Sequence, residues 1–396
     1  MINETVIVGY ARTPIGSFQG ALRSIPATKL GSIVIKSSIE RSNINPNIVE
    51  EVIMGNVLLA GEGQAPARQS SIYAGLDHSV ECLTINKVCG SGLKAVMLAD
   101  QSIKFNNSEI VVAGGMENMS QVPYYLFDAR KGMRLGDKKV VDGIFHDGLI
   151  DAYSNLPMGN CAEVLAKEQK YSKKIQDDFA KESYNRSLNS IKNGYFEPEI
   201  VPIEIPQRNG AIATINKDEE PERVKLDNLR KLKPVFDKEG TISVGNASSI
   251  NDGAAALVLM SKIKANELNV KPLCKIVAHT TVAQDPLYFT KAPCKSISKV
   301  LEKAEMSIED IDVFEINEAF SNVVLYTMDQ HSISHSKVNI FGGAVSLGHP
   351  IGASGARILV TLISALEQKN KKYGLASICI GGGEACSLII ENLGIK

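Results

Sequence analysis

Cys89 stands where a strand-like segment gives way to a helical pattern, with Gly90-Ser91-Gly92 directly after it. A thiol at a helix N-terminus lies at the positive end of the helix dipole, which favours the thiolate. The flanking glycines let a substrate come close to the backbone. These features favour a nucleophile, but a free cysteine more often packs as a small apolar core residue, and that interpretation stays open at this point.

His349 lies at the equivalent point in the second half of the chain, before Pro350 and a helical pattern rich in glycine, alanine and serine. If two similar halves pack about a pseudo-twofold axis, two helix N-termini meet at one site. An imidazole beside Cys89 would take the thiol proton and yield a reactive thiolate–imidazolium pair. A surface histidine that precedes a proline is the alternative interpretation.

Two further polar residues follow apolar strand-like runs. Cys379 leads into Gly381-Gly382-Gly383, where a second thiol could act as a general acid or base and the glycine amides could bind an oxyanion. Asn317 follows the run Val313–Ile316, and it could orient a water or a substrate oxygen. A buried core position for Cys379 and a helix cap for Asn317 remain open alternatives.

The elements that must position these residues alternate between strand-like and helical patterns at both ends of the chain, which predicts layered α/β domains. The segment 48–56 resembles the segment 308–317. A similar length of chain leads from the first segment to Cys89 and from the second to His349. This correspondence indicates an internal duplication.

The middle of the chain does not fit the repeat. It is richer in charged and turn residues and contains the polar helical segment 172–193. We therefore predict three parts: a first α/β half formed by residues 1–118 and 250–270, an inserted loop domain formed by residues 119–249, and a second α/β half formed by residues 271–396.

Charge balance, hydropathy and missing motifs argue against several classes of function, although a local basic patch stays open. The 396 residues carry 43 Lys and Arg against 44 Asp and Glu, a formal net charge of −1, so there is no global charge argument for a nucleic-acid partner. No apolar run reaches the length of about 18 residues that predicts a membrane span. Neither a GxGxxG fingerprint after the first strand nor a phosphate-binding GxxxxGK[ST] loop occurs.

The expected location is the cytoplasm. The start, Met1-Ile2-Asn3-Glu4, has neither the basic nor the apolar region of a signal peptide. The seven cysteines are scattered and lie mostly in apolar contexts, which is typical of reduced thiols rather than of a disulfide framework.

Ordered motifs across nearly the whole chain resemble the thiolase family, and most closely its biosynthetic acetyl-CoA C-acetyltransferases. The motifs are Ala11-Arg12-Thr13-Pro14-Ile15-Gly16, Asn86-Lys87-Val88-Cys89-Gly90-Ser91-Gly92, Gly114-Gly115-Met116-Glu117-Asn118-Met119-Ser120, Asn246-Ala247-Ser248, Asn251-Asp252-Gly253-Ala254-Ala255, Asn317-Glu318-Ala319-Phe320, the run from Gly342 to Pro350, and Cys379-Ile380-Gly381-Gly382-Gly383. The resemblance implies a duplicated, five-layered α/β fold with an inserted loop domain. It agrees with the duplication and the insertion inferred from the residues.

The resemblance also implies a role for each candidate residue. Cys89 is similar to the acylated nucleophile, His349 to the base that activates it, and Cys379 to the acid/base that deprotonates a second acetyl-CoA. Asn317 resembles the residue that holds a catalytic water. That water and His349 would form one oxyanion hole, and the amides of Cys89 and Gly381 would form another.

The implied reaction is the condensation of two acetyl-CoA molecules to acetoacetyl-CoA and CoA by a ping-pong route, and its reverse. CoA enters as a substrate carrier, and the chemistry requires no cofactor and no catalytic metal. A degradative 3-ketoacyl-CoA thiolase of broad chain length is the first alternative. A non-catalytic acyl-CoA or lipid-binding protein is the second.

The resemblance further implies binding residues and an assembly. The residues implied along the CoA path are Leu149, Met158, Arg223, Phe236, Ser248, Ala319 and Phe320, with Arg223 suited to a phosphate. Tyr184 and Val345 match places near which some relatives bind potassium. The basic segment Arg130–Arg134 resembles a tetramerisation loop, so we expect a homotetramer built as a dimer of dimers.

Three positions bear on substrate binding. Pro157 stands where many bacterial members have histidine, which leaves a hydrogen bond to the thioester region in doubt. Glu384 follows the glycines, where it would either repel a CoA anion or point to solvent. Phe289 falls at the acyl pocket, where an aromatic ring would narrow the space and favour short acyl chains.

Overall fold

The computed structural model describes residues 3–207 and 210–395. Met1, Ile2, Arg208, Asn209 and Lys396, which belong to the predicted segments, lie outside the described residues. The strands are β1 Thr5–Arg12, β2 Gly16–Ser17, β3 Glu51–Gly55, β4 Glu81–Ile85, β5 Ile110–Asn118, β6 Tyr124–Tyr125, β7 Val141–Asp142, β8 Ile203–Pro206, β9 Ile212–Ile215, β10 Asn251–Ser261, β11 Cys274–Ala283, β12 Val313–Ile316, β13 Tyr373–Ile380 and β14 Glu384–Asn392. The helices are α1 Ala27–Ser42, α2 Pro66–Tyr73, α3 Ser91–Lys104, α4 Met158–Glu168, α5 Lys173–Lys192, α6 Glu220–Arg223, α7 Lys262–Glu267, α8 Ala292–Ala304, α9 Ser321–His331, α10 Ala344–Leu347 and α11 Ile351–Gln368.

The two halves have the same strand connectivity, which bears out the predicted duplication. In the first half the order is β4-β3-β5-β10-β1, with parallel pairs β4–β3 and β3–β5 and antiparallel pairs β5–β10 and β10–β1. In the second half β12-β13-β14-β11 repeats the parallel pair followed by two antiparallel pairs. A parallel bridge between Phe314 and Val338 stands where β3 pairs with β4 in the first half.

The half-sheets join along one edge. Strands β1 and β11 pair over a short register, Val6 with Lys275 and Ile7 with Cys274, so the strands form one continuous sheet with β2 attached to β10. The pairing covers one edge of each half-sheet, at β1 and at β11, and unpaired edge strands are liable to unwanted association.

Five layers follow from the packing of the helices. Helices α1 and α2 cover the outer face of the first half-sheet, and α8 and α9 cover the outer face of the second. Helices α3 and α11 lie between the half-sheets, and most of α11 is buried on every side. A helix that is apolar all round is typical of a central layer. The predicted five-layered fold is therefore confirmed.

The contact between α3 and α11 brings the two candidate residues together. A Cβ added at Gly92 would lie 2.7 Å from the backbone nitrogen of Ala356, and one added at Gly355 would lie 2.4 Å from that of Leu93. Only glycine allows backbones to approach this closely. The helices thus touch near their N-terminal ends, where Cys89 and His349 are located.

The segment 119–249 holds α4, α5, α6 and the hairpins β6–β7 and β8–β9. The predicted polar helix is α5, where the Ser172 side chain accepts a hydrogen bond from the Ile175 N–H at 3.3 Å. Its buried face includes Phe179, Ala180 and Tyr184. Strand β10 then returns to pair with both β1 and β5, so the insertion stands between two strands of the first half. The boundaries of the three predicted parts remain a proposal.

Within the described ranges, no helix combines the length and the apolar character needed to cross a bilayer.

Candidate active site

A cavity of about 360 Å³ opens where both halves and the insertion meet. Cys89, His349, Cys379 and Gly381 contribute to its wall. The other walls are mainly apolar, and they include the residues Phe145, Leu149, Met158, Phe236, Ser248, Phe289, Ala319 and Phe320. Ligand sites commonly have this form, an apolar cleft with a few convergent polar groups.

Cys89 lies in a strained turn between β4 and α3. Val88, directly before it, has a φ of 45°, a conformation that a β-branched residue rarely adopts. The turn is closed by hydrogen bonds from the Lys87 N–H to Ser91 Oγ at 2.8 Å and from the Gly90 N–H to the Lys87 carbonyl at 3.0 Å. Such strain persists only where the surroundings enforce it, and it is concentrated at functional sites.

Burial keeps the Cys89 thiol protonated at neutral pH. Burial raises the pKa of Cys89 to about 11, while hydrogen bonds from the backbone N–H groups of Gly381 and of Cys89 itself act in the opposite direction. The buried carboxylate of Glu117 raises this pKa further. Desolvation therefore outweighs the effect of the helix N-terminus, which by itself favours the thiolate.

His349 presents an unprotonated nitrogen. Its Nδ1 lies 2.6 Å from Ser354 Oγ, and the Ser354 hydroxyl donates to the Pro350 carbonyl at 2.9 Å. Because a hydroxyl has one proton, Nδ1 is the donor in the first contact, and Nε2 carries the free lone pair. Nε2 has no hydrogen-bond partner among the described residues. Burial, with a contribution from Arg357, lowers the pKa of His349 to about 3.

Cys379, near the end of β13, is 1 % exposed and belongs to the cavity wall. Burial raises the pKa of its thiol well above the usual range, and the neighbouring Cys89 raises it further. The structure therefore brings two thiols and one imidazole to a single cavity, all three uncharged at neutral pH.

Asn317 is fully buried after β12, and its backbone N–H donates to the Ser377 carbonyl at 2.9 Å. Helix α9 begins at Ser321 after Phe320, so the capping alternative for Asn317 is wrong. Its side-chain amide has no hydrogen-bond partner within residues 3–207 and 210–395. Buried amides of this kind commonly bind an ordered water. Asn317 is not itself part of the cavity wall as described.

Six of the seven residues implied for CoA binding line the cavity: Leu149, Met158, Phe236, Ser248, Ala319 and Phe320. The rings of Phe236 and Phe289 both pack edge-to-face against Phe320, at centroid distances of 6.1 Å and 6.3 Å. Arg223 lies apart from this wall, exposed at the end of α6. Its position is compatible only with the part of a ligand that lies outside the cavity.

Two departures from the family pattern have definite positions. Pro157 lines the cavity directly before α4 and has no N–H to offer a substrate. Glu384 accepts a hydrogen bond from the Lys87 ammonium in a half-buried ion pair. The ammonium offsets the carboxylate charge, which argues against repulsion of a CoA anion, while the Glu384 side chain remains 32% exposed to solvent.

Sequence reasoning missed the residues that orient His349 and its helix. Asn251 Oδ1 accepts a hydrogen bond from the His349 N–H at 2.9 Å. Glu117, fully buried at the end of β5, accepts hydrogen bonds from the Leu58 N–H at 3.1 Å and from the Gly352 N–H at 2.9 Å. Burial raises the pKa of Glu117 to about 8. An acid at the end of an apolar strand, as in Ile110–Asn118, was the available signal.

A five-layered α/β fold, with a thiol and an imidazole before its two central helices and both in the wall of one cavity, defines the class of this protein. Residues 5–263 match the model of the "Thiolase, N-terminal domain", and residues 270–392 match that of the "Thiolase, C-terminal domain". The chain belongs to the thiolase family.

Similar proteins cover the chain almost completely. It is 49% identical to acetyl-CoA acetyltransferase 2 of Arabidopsis thaliana, over 98% of this chain and 97% of that protein. It is 51% identical to the mitochondrial acetyl-CoA acetyltransferase of Mus musculus, over 99% of this chain and 92% of that protein. The Acat5 thiolase of Ascaris suum, solved in complex with coenzyme A, superposes with a TM-score of 0.94 at 41% identity, over 98% of this chain and 100% of that chain.

Proposed function

We propose that this protein is an acetyl-CoA C-acetyltransferase, which condenses two acetyl-CoA molecules to acetoacetyl-CoA and CoA and catalyses the reverse thiolysis. The observation that carries the proposal is the shared cavity wall of Cys89, His349 and Cys379, to which Gly381 also contributes. Relatives that span the whole chain at about half identity are named acetyl-CoA acetyltransferases, which supports it.

In the first half-reaction Nε2 of His349 takes the Cys89 proton as the sulfur attacks the thioester carbon of acetyl-CoA. The backbone N–H groups of Cys89 and Gly381 receive the oxyanion. The carbon–sulfur bond to CoA then breaks, and the thiol of Cys379 protonates the leaving CoA sulfur. The products are free CoA, an acetyl-Cys89 thioester, an imidazolium and a Cys379 thiolate.

In the second half-reaction the Cys379 thiolate removes a methyl proton from a second acetyl-CoA. The His349 imidazolium and a water held by Asn317 stabilise the enolate oxygen, and each such donor is typically worth about 3 kcal/mol. The enolate carbon attacks acetyl-Cys89, a carbon–carbon bond forms, and the Cys89–carbon bond breaks. The Cys89 sulfur regains its proton from His349, which restores the starting state.

The neutral resting state suits this order of events. A protonated Cys89 and an unprotonated His349 exchange a proton only when a carbonyl carbon is present to receive the sulfur. Separating the reaction into two half-reactions through an acyl-enzyme divides one difficult step into two easier ones.

CoA would lie along the insertion, with its pantetheine arm among the apolar walls formed by Leu149, Met158, Phe236, Ala319 and Phe320. Ser248 Oγ donates a hydrogen bond to the Ala319 carbonyl at 3.0 Å, which fixes this part of the path. The exposed guanidinium of Arg223 suits the phosphates at the nucleotide end.

The buried ring of Phe289 favours short acyl chains, because it occupies space at the acyl end of the cavity. Turnover of acetoacetyl-CoA against a long-chain 3-ketoacyl-CoA tests this assignment. Strong preference for acetoacetyl-CoA is expected. Comparable rates on both substrates would replace it with a degradative 3-ketoacyl-CoA thiolase, and no turnover of either would favour a non-catalytic acyl-CoA-binding protein.

We extend the proposal to a potassium ion near Tyr184 and Val345, which pack in one buried cluster. Burial and the carboxylates of Glu220 and Glu318 raise the pKa of Tyr184, so the hydroxyl stays neutral beside negative charge, which fits a monovalent cation. Such an ion would order the loop that precedes His349. Activity in potassium chloride that exceeds activity in sodium chloride at equal ionic strength is the expected result, and equal activity would contradict it.

We further propose a homotetramer. The loop that contains Arg130–Arg134 exposes several large apolar side chains, among them Phe127, Leu135 and Val140. Exposed apolar groups in such number favour an association surface. Light scattering after gel filtration is expected to give a tetramer, and Leu135→Asp is expected to give a smaller species. A monomer or dimer from the unaltered chain would contradict the proposal.

The proposed location is the cytoplasm. All seven cysteines are free thiols, which suits a reducing compartment. Fractionation of cells that produce the protein tests it, and recovery with mitochondria would place it with relatives such as the mitochondrial enzyme of Mus musculus.

A further inference from the structure

The ion pair between Lys87 and Glu384 joins the two loops that surround the Cys89 sulfur. Lys87 stands two residues before Cys89, ahead of the strained Val88. Glu384 begins β14, directly after the glycine turn 381–383. Both side chains are about one quarter to one third exposed, at 24% and 32%.

Each loop contributes one residue to the cavity wall beside the thiol: Cys89 from the Lys87 loop and Gly381 from the glycine turn. The loops are neighbours, because a Cβ added at Gly381 would lie 3.5 Å from Val88 Cγ1. The backbone N–H groups of Cys89 and Gly381 both lower the pKa of the Cys89 thiol. Gly382 and Gly383 both have left-handed backbone conformations, with φ of 86° and 83°. Three consecutive glycines have no side chains to anchor the turn, so its position depends on its ends.

The ends of the turn are held within the sheet. Cys379 and Ile380 pair with Ala385 and Glu384 in the β13–β14 hairpin, and Glu384 also pairs with Ala283 of β11. The Gly383 carbonyl accepts a hydrogen bond from the Gln284 N–H at 2.9 Å. The Lys87–Glu384 pair differs from these contacts because it connects the turn to the loop of the nucleophile.

The pair acts through position rather than charge. The charged group that shifts the pKa of the Cys89 thiol is the Glu117 carboxylate, which raises it. Lys87 and Glu384 are not among the causes of that shift. A cation and an anion in contact largely cancel one another at a distance.

We propose that Lys87 and Glu384 form a positioning pair that keeps the Cys89 and Gly381 N–H groups converged on the oxyanion of the acyl-transfer step. The proposal rests on the acyl transfer proposed above. Loss of either partner loosens the glycine turn relative to Cys89. The two N–H groups then stabilise the oxyanion less well, and because that negative charge develops only in the transition state, the rate falls rather than the binding of substrate.

Kinetics of Lys87→Met, Glu384→Gln and the double variant test the pair. Each single change is expected to lower kcat by about three- to tenfold with KM unchanged, as expected for an interaction made in the transition state. The kcat of the double variant is expected to be no lower than that of the less active single variant, because the same Lys87–Glu384 contact is lost in each of the three proteins. The exchanged pair Lys87→Glu/Glu384→Lys is expected to recover part of the loss. Glu391→Gln is the matched control, because Glu391 pairs with Lys275 at 2.9 Å near the other end of β14.

A second readout does not depend on turnover. The Gly381 N–H lowers the pKa of the Cys89 thiol, so loosening the turn is expected to slow alkylation of Cys89 by iodoacetamide by about threefold. Unchanged kcat and alkylation in both single variants, or losses that multiply in the double variant, would overturn the positioning role. If the unaltered enzyme fails to transfer acetyl groups, the proposed function fails, and the alkylation series alone decides on the pair.

Discussion

Nδ1 of His349 lies 2.6 Å from Oγ of Ser354, five residues further along the chain, and this contact decides which imidazole nitrogen faces the cavity. Ser354 can fix the ring because its own proton is already donated to the Pro350 carbonyl. The imidazole stands just before α11 and the serine that orients its ring lies in the first turn of that helix, while Asn251 of β10 holds the His349 backbone N–H.

Ser354→Ala removes the acceptor for the Nδ1 proton and leaves the ring free to rotate or to change tautomer. The rate of Cys89 acetylation is expected to fall by about three- to tenfold, which corresponds to the net free energy of one ordinary hydrogen bond. The rate is measured by quenching and mass spectrometry. Ser364→Ala, on the same helix away from the cavity, is the control, and equal rates for the two variants would contradict the orienting role.

The rate of Cys89 acetylation is expected to change little between about pH 5 and pH 9, because the pair titrates outside that range. A base must be unprotonated, and burial keeps the pKa of His349 at about 3, so acid does not protonate it until far below neutrality. Burial likewise holds the pKa of Cys89 at about 11. An acid limb centred near the ordinary histidine pKa of about 6.5 would show that desolvation does not control the imidazole.

Gly355→Ala tests the helix contact that joins the two halves. The new Cβ would lie 2.4 Å from the Leu93 nitrogen, so α3 and α11 must separate. Overpacking of this kind costs about 1–3 kcal/mol of unfolding free energy, measured by urea denaturation. The activity per folded molecule is also expected to fall, so the loss of activity exceeds the loss of folded protein. Full activity in the folded variant would show that the separation of Cys89 from His349 is not set at this crossing.

Much of the fold could be predicted from the sequence because periodicity and duplication are local signals. The apolar runs around Val6–Val8 and Val313–Ile316 became β1 and β12, and the polar segment 172–193 became α5. The edge pairing of Val6 with Lys275 could not be predicted, because it depends on how the halves pack and not on any local pattern.

The site was predictable as a set of residues but not as an electrostatic environment. The positions of Cys89, His349 and Cys379 at the ends of elements predicted that they converge. The helix N-terminus favours a thiolate, whereas burial in the assembled fold raises the pKa of Cys89, and that burial has no local sequence signal. The partners Ser354 and Glu117 were missed because their roles depend on contacts that only the packed helices create.

Phe289→Ala is expected to widen the acyl end of the cavity, because it removes a ring that packs against Phe320. The ratio of kcat/KM for a longer 3-ketoacyl-CoA to that for acetoacetyl-CoA is expected to rise by about tenfold or more. Phe105→Ala, at a ring that is 77% exposed, is the control. An unchanged ratio would show that another residue limits chain length.

The most direct test of the central claim is intact-mass and peptide analysis after mixing the protein with acetyl-CoA. One acetyl group on Cys89 is expected in the unaltered protein and also in Cys379→Ala, where it forms more slowly because the CoA sulfur must leave as a thiolate. Cys379→Ala is expected to lose condensation, and no adduct is expected in Cys89→Ala. Absence of the adduct from the unaltered protein, or condensation retained by Cys379→Ala, would contradict the account of two thiols with separate roles at one cavity.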